Sequence, residues 1–150
     1  MDPVMLIRAV AGVLCLFVLV VAIFYLITLS TTLAKCSEST RTMDPGLVWL
    51  LLIPIFNLIW HFFVVLALAK SLAAEFRARR IYPDELNPGQ SGGIAMCVCG
   101  ACGVIPLINI ITLVPHLVLW VMYWYRIAGY SRLLDYRPSV DGMPQGTQTI

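Results

Sequence analysis

Three long apolar blocks dominate the pattern along this chain. Residues 9–29, 47–69 and 92–125 contain no Asp, Glu, Lys or Arg and are 21, 23 and 34 residues long. A helix needs about 20 apolar residues to cross the core of a bilayer, whereas about 10–14 would indicate a buried helix of a soluble protein. The blocks therefore predict an all-α membrane protein.

The first block is expected to be a retained helix. Arg8 precedes it, and the sequence TLA at residues 32–34 resembles a weak signal-peptidase site. The apolar region of a signal peptide is only about 7–15 residues long, which is shorter than this block. We therefore predict a first transmembrane helix over residues 4–34.

The second block follows a helix-start signal. Asp44, Pro45 and Gly46 place a cap residue before a proline at the first helical position. A helix is predicted over residues 46–78, with Trp49 at the membrane interface. After residue 69 the sequence becomes amphipathic, so this helix is expected to leave the bilayer and lie against the headgroups.

The third block is long enough for one tilted helix or for a hairpin of two. Lys and Arg accumulate on the cytoplasmic side of membrane proteins. A hairpin with its tip at residues 112–116 places eight of the ten Lys and Arg residues on the cytoplasmic side of the membrane, whereas a single pass places five on each side. Four transmembrane helices are therefore predicted (about 4–34, 46–78, 92–112 and 115–133), with both termini cytoplasmic. Residues 1–135 form the membrane domain, and residues 136–150 a disordered tail.

A weak internal repeat relates the second and third blocks. A shift of 52 residues aligns Ile53-Pro54 with Ile105-Pro106, and Asn57 with Asn109. After a three-residue slip, His61 also aligns with His116. These Pro-x-x-Asn breaks are expected to interrupt helix 2 and the hairpin over residues 92–132.

The breaks have two interpretations. As structural joints, they would meet in the interior, and the asparagine amides would bond to the carbonyls of Leu50 and Cys102 that the prolines release. As a binding site or pathway, the breaks would line a route for a solute or ion. Its candidate residues are Pro54, Asn57, His61, Pro106, Asn109 and His116.

The Cys-x-x-Cys pair at Cys99 and Cys102 is a candidate thiol or metal site. A structural zinc site needs four ligands, and the sequence holds no second pair. The alternative is a helix-packing stripe of Gly93, Cys97 and Gly100, whose small side chains recur at helical spacing. The sequence holds no catalytic triad, phosphate loop or paired intramembrane carboxylates, so no enzyme activity and no cofactor are predicted.

The sequence MDPGLVWLLLIPIFNLIWHFFVVLALAKSLAAEF over residues 43–76 resembles the signature of small, uncharacterised bacterial membrane proteins, some of which carry a GYF-like module. The resemblance rests on six residues: Trp49, Pro54, Asn57, Trp60, Ser71 and Glu75. It implies a bacterial membrane protein and assigns no catalytic residue.

These observations predict a multi-pass, non-enzymatic protein of the bacterial inner membrane. Its expected role is that of a scaffold or accessory subunit that acts by helix packing, in a homo-oligomer or with another membrane protein, in contact with the lipid bilayer. The alternatives are an oligomeric channel or transporter lined by the breaks, and a thiol or metal site. A formal charge of +2 and the lack of a basic stripe with interleaved aromatics argue against a nucleic-acid partner.

Overall fold

The computed structural model describes residues 2–81, 83 and 85–136. Every regular element in these ranges is helical. The elements are α1 (Pro3–Ala34), a 3-10 helix (Pro45–Leu52), α2 (Pro54–Ala78), α3 (Gln90–Cys102) and α4 (Pro106–Tyr136). The predicted all-α class is therefore confirmed.

Three of these helices are long and apolar enough to cross a membrane, namely α1, α2 and α4. The protein is thus built as a membrane protein. Helix α3 has 13 residues and is about 20 Å long, shorter than the core of a bilayer at about 30 Å. The predicted number of four spanning helices is not confirmed.

The three long helices run in the same direction. Near the middle of the bundle, the Tyr25 hydroxyl of α1 lies 2.9 Å from His61 Nε2 of α2, and Trp124 of α4 donates to Thr28 Oγ1 at 2.9 Å. Beyond the end of α1, the Lys35 ammonium lies 2.8 Å from the Asp135 carboxylate near the end of α4. Residue numbers therefore increase in the same direction, toward the end that holds Lys35 and Asp135, along α1, α2 and α4.

Two short segments return the chain between the long helices. The first contains the 3-10 helix and runs back along α2, since Thr42 donates to the Ala67 carbonyl and Trp60 donates to the Leu47 carbonyl, each at 2.9 Å. The second is α3, which runs antiparallel to α4. Each repeat therefore consists of a short returning element, an Ile-Pro turn and a long helix.

This arrangement contradicts the predicted topology. The prediction placed residues 35–44 across the membrane from Arg79, but Arg79 donates to the Lys35 carbonyl at 2.8 Å. With α1 and α4 parallel, the two ends of the described chain, Asp2 and Tyr136, also lie at opposite ends of the bundle. The physical reason is that the apolar block over residues 47–69 folds back on itself at Ile53, so it is a returning segment plus a helix rather than one crossing.

The helix boundaries also differ from the prediction in the third block. The turn lies at residues 103–105, and α4 continues from Pro106 through Pro115, which lies inside the helix. The predicted tip at residues 112–116 and the boundary between 112 and 115 are wrong, because Gly103 and Pro106 already provide the turn. The predicted tail over residues 136–150 lies outside the described residues, apart from Tyr136.

The two ends of the bundle are packed differently. In the packed half, next to the charged end that holds Lys35, Arg79 and Asp135, the interior is solid; its fully buried side chains include Leu29, Leu33, Leu68, Leu72, Phe76, Met96 and Ile127. In the open half, formed by residues 3–22, 51–61 and 97–120, most apolar side chains are exposed. The closely packed interior is therefore confined to the half next to the charged end.

Candidate functional site

The two Ile-Pro turns have the same backbone structure. The Ile53 N–H donates to the Leu50 carbonyl at 3.1 Å, and the Ile105 N–H donates to the Cys102 carbonyl at 3.2 Å. Each proline occupies the first position of a helix, where no backbone donor is required. The carbonyls of Leu50 and Cys102 are thus satisfied by the isoleucine preceding each proline, and not by an asparagine amide as predicted.

The two asparagines have different surroundings. Their backbone N–H groups make equivalent bonds, each 2.8 Å long, to the carbonyls of Ile53 and Ile105. Within the described ranges neither amide side chain has a hydrogen-bond partner in the protein. Asn57 is half-buried beside the cavity described next, whereas Asn109 is exposed. The two Pro-x-x-Asn breaks were predicted to lie together in the interior, and this arrangement is not observed.

A cavity of about 570 Å³ lies in the open half, between α1, the 3-10 helix, α2, α3 and α4. Its walls are mainly apolar, and α1 contributes Phe17, Val18 and Val21. Six residues that the sequence analysis singled out also line it: Pro54, Asn57, His61, Cys97, Gly100 and His116. The two other candidates from the repeat, Pro106 and Asn109, do not line it.

The two cavity histidines have different partners. His61 Nε2 lies 2.9 Å from the Tyr25 hydroxyl, so His61 is held by α1. His116 Nδ1 lies 3.1 Å from the Met96 carbonyl. A carbonyl oxygen can only accept, so His116 Nδ1 carries the proton, and in the neutral ring Nε2 is an acceptor.

Aromatic rings close the cavity toward the packed half. Tyr25 and Trp120 line the cavity, and their ring centroids are 5.2 Å apart. Trp124 packs behind them, with its ring centroid 5.4 Å from that of Trp120 and 6.0 Å from that of Tyr25. This cluster joins α1 to α4 and separates the cavity from the solid interior.

The small residues of α3 allow the close approach of neighbouring helices. A Cβ on Gly93 would lie 2.4 Å from Val65 Cγ1 of α2 and 2.8 Å from Tyr123 Cε2 of α4. A Cβ on Gly100 would lie 3.0 Å from His116 Cε1. Cys97, between them in sequence, is buried. The stripe of Gly93, Cys97 and Gly100 thus faces α2, α4 and the cavity.

The remaining cysteines of α3 are less enclosed. Cys99 is half-buried, and Cys102 is exposed at the end of the helix. In the part of the chain that the structure describes, no three His, Cys, Asp or Glu side chains are grouped so that they could hold a metal ion. Cys99 and Cys102 are therefore not part of a larger ligand set within those ranges.

A buried polar network at the charged end was not predicted from the sequence. The Glu75 carboxylate accepts from Ser37 N–H and Oγ at 3.0 Å, from Thr40 Oγ1, and from Arg79 Nε at 2.6 Å. The Arg79 guanidinium also donates to the Leu134 carbonyl at 2.8 Å. The signal was the four-residue spacing of Ser71, Glu75 and Arg79, which places three polar side chains on one helix face.

Three residues of the family-like signature have structural roles here. Trp60 donates from its indole to the Leu47 carbonyl, which holds the 3-10 helix against α2. Ser71 accepts from the Thr42 N–H at 2.9 Å, and Glu75 holds residues 37–40. All three fix the first returning segment to α2.

Comparisons with protein-family models, with curated proteins and with solved structures give no match to this chain.

Proposed function

We propose that this chain is a non-enzymatic membrane protein that binds an apolar molecule inside the bilayer, in the cavity of its open half. The observation that carries the proposal is the cavity itself. Its volume of about 570 Å³ lies within the usual range for small-molecule sites, about 300–1,000 Å³. Mainly apolar walls with a few polar groups are also typical of such sites.

The packing of the bundle favours binding over passage through a single chain. Toward the charged end, the cavity meets the Tyr25, Trp120 and Trp124 cluster, and beyond it the fully buried side chains of the packed half. Pro106 and Asn109 are outside the cavity lining, so the two breaks do not share one space. A pocket that ends at a solid interior is suited to holding a molecule.

The binding proposal is tested by filling the cavity. Ala22 lines the cavity, whereas Ala11 is an exposed residue on the same helix. Native mass spectrometry of protein purified in a mild detergent should detect a bound apolar molecule in the wild type and in Ala11→Trp. The bound molecule should be lost in Ala22→Trp. Equal retention in both variants, or none in the wild type, would contradict the proposal.

A second candidate function is that of a scaffold or accessory subunit, and the first part of α1 favours it. From Val4 to Leu16, before the cavity wall begins at Phe17, the large apolar side chains of α1 are between 50% and 70% exposed. In a membrane, this surface is available to a second copy of the chain or to another membrane protein. We propose a homo-oligomer that associates along this part of α1.

Cys15 is exposed on this surface and provides a test. Mild oxidation in membranes should produce a disulfide-linked dimer through Cys15. The dimer should be absent from Cys15→Ser and retained in Cys102→Ser, whose exposed thiol lies on α3. A monomeric wild type under conditions that cross-link a known dimeric control would argue against association along α1.

The distribution of charge supports an orientation for the protein. Eight described Lys and Arg residues lie toward the charged end: Lys35, Arg41, Lys70, Arg77, Arg79, Arg80, Arg126 and Arg132. Arg8 lies near the start of α1, toward the other end. Because basic residues favour the cytoplasmic side, we propose a bacterial inner-membrane protein with its charged end in the cytoplasm and its first residues on the other side.

A further inference from the structure

The lining of the cavity excludes charged occupants on physical grounds. Among the described residues, no Asp, Glu, Lys or Arg lines the cavity. An ionised group brought into such surroundings loses its hydration without gaining a counter-charge, which is strongly unfavourable. The molecule that fills the cavity is therefore uncharged where it meets the protein.

Polar side chains in the lining have unused hydrogen-bonding capacity, among them Asn57 and His116. The Asn57 amide has no protein partner within the described ranges, and it offers two N–H donors and a carbonyl acceptor. His116 Nδ1 is occupied by the Met96 carbonyl, which leaves Nε2 as an acceptor. His61 is held by Tyr25 through Nε2, and its Nδ1 bonds to no described residue. For a molecule in the cavity, the Asn57 amide thus offers donors and an acceptor, and His116 offers an acceptor at Nε2.

We propose that the cavity binds a lipid-like alcohol, an uncharged apolar molecule with a hydroxyl group that bonds to both Asn57 and His116. This inference rests on the proposed binding function and specifies its ligand. A hydroxyl donates to His116 Nε2 and accepts from the Asn57 amide, so it satisfies both groups at once. A ketone or ester only accepts, and would leave the His116 acceptor unpaired. The apolar remainder of the molecule contacts Phe17, Val21 and Leu117.

The test compares two photoreactive probes in nanodiscs: a long-chain alcohol that carries a diazirine, and its methyl ether, which cannot donate. Labelled residues are mapped by mass spectrometry, and dissociation constants are obtained by titration. The alcohol should label cavity residues of α1 and α4 in preference to the lipid-facing Ile110, which is 79% exposed. It should also bind more tightly than the ether.

Matched variants come from the internal repeat. Asn57→Leu removes the cavity amide, whereas Asn109→Leu removes the equivalent amide outside the cavity. Asn57→Leu should weaken binding of the alcohol by up to about tenfold, the usual range for one hydrogen bond, and leave the ether unaffected. Asn109→Leu should change neither. Because the Asn57 side chain bonds to no described residue, its replacement should leave the thermal unfolding temperature unchanged. The variant His116→Phe should independently lower the affinity for the alcohol.

The outcomes separate the two proposals. If alcohol and ether bind with equal affinity and Asn57→Leu affects neither, recognition of a hydroxyl is wrong while binding in the cavity stands. If neither probe labels cavity residues above Ile110, the proposed binding function itself is wrong. Preferential binding of the alcohol that depends on Asn57 and not on Asn109 supports both.

Discussion

At the scale of single residues, Glu75 and Arg79 hold the charged end together. Their side chains are 0% and 3% exposed and lie 2.6 Å apart. Glu75 binds the loop after α1 through Ser37 and Thr40, and Arg79 binds the end of α4 through the Leu134 carbonyl. Burial of an ion pair is tolerated when its remaining donors and acceptors are satisfied, as they are here.

Replacing Glu75 should therefore destabilise the protein strongly. Glu75→Gln removes the negative charge and leaves the Arg79 guanidinium buried beside a neutral amide. The loss of one partner from a buried pair typically costs about 3–5 kcal/mol. Thermal unfolding in detergent should show this loss for Glu75→Gln. The control is Glu38→Gln in the same loop, where the side chain is exposed; equal melting temperatures for both variants would contradict the role of the network.

The Cys36 thiol, in the loop after α1, should be unusually inert. Burial, together with the nearby Glu75 carboxylate, raises the pKa of Cys36 to about 12. Since the thiolate is the reactive species, alkylation of folded protein at pH 8 should be on the order of a thousandfold slower than for an ordinary thiol with a pKa near 9. The exposed Ser39→Cys in the same loop is the comparison, measured with Cys36 replaced by Ala. Similar rates at the two positions would show that Cys36 is not enclosed.

At the scale of elements, the close contact of α3 with α2 and α4 depends on Gly93. A methyl group there would overlap Val65 and Tyr123, whereas a Cβ on the neighbouring Gly92 would meet no atom within 4 Å. Gly93→Ala should force the helices apart and cost about 1–3 kcal/mol. Gly92→Ala should be neutral or slightly stabilising, because alanine favours helix. Equal unfolding temperatures would contradict this packing.

The elements also show what the sequence could predict. Helix α1 contains the whole apolar block over residues 9–29 and extends beyond it at both ends, and the packing stripe on α3 follows from helical spacing. The fold-back at Ile53 was not predicted, because block length counts apolar residues and does not reveal a change of direction within a block. The Pro-x-x-Asn breaks were predicted to interrupt helix 2 and the hairpin, whereas Pro54 and Pro106 each begin a helix after a turn.

The candidate site could be predicted only in part. His61, His116 and Asn57 were identified because polar side chains are costly in apolar blocks, and the structure places all three around one cavity. Asn109 has the same motif but is exposed and does not line the cavity. Sequence similarity within the repeat could not reveal that difference in surroundings.

At the scale of the whole molecule, α1, α2 and α4 are parallel, and two short segments return the chain between them. The contacts of Lys35 with Asp135 and of Arg79 with the Lys35 carbonyl require the loop after α1 to lie at the same end as the ends of α2 and α4.

The most direct test is the accessibility of single cysteines to an impermeant thiol reagent in intact cells and in inverted vesicles, with the native cysteines replaced. Asp2, Ser39 and Asn87 are exposed positions before α1, after α1 and before α3. Cysteines at Ser39 and Asn87 should be labelled from the same side, and a cysteine at Asp2 from the opposite side. Labelling of Ser39 and Asn87 from opposite sides would contradict the parallel arrangement and restore the alternating crossings predicted from the sequence.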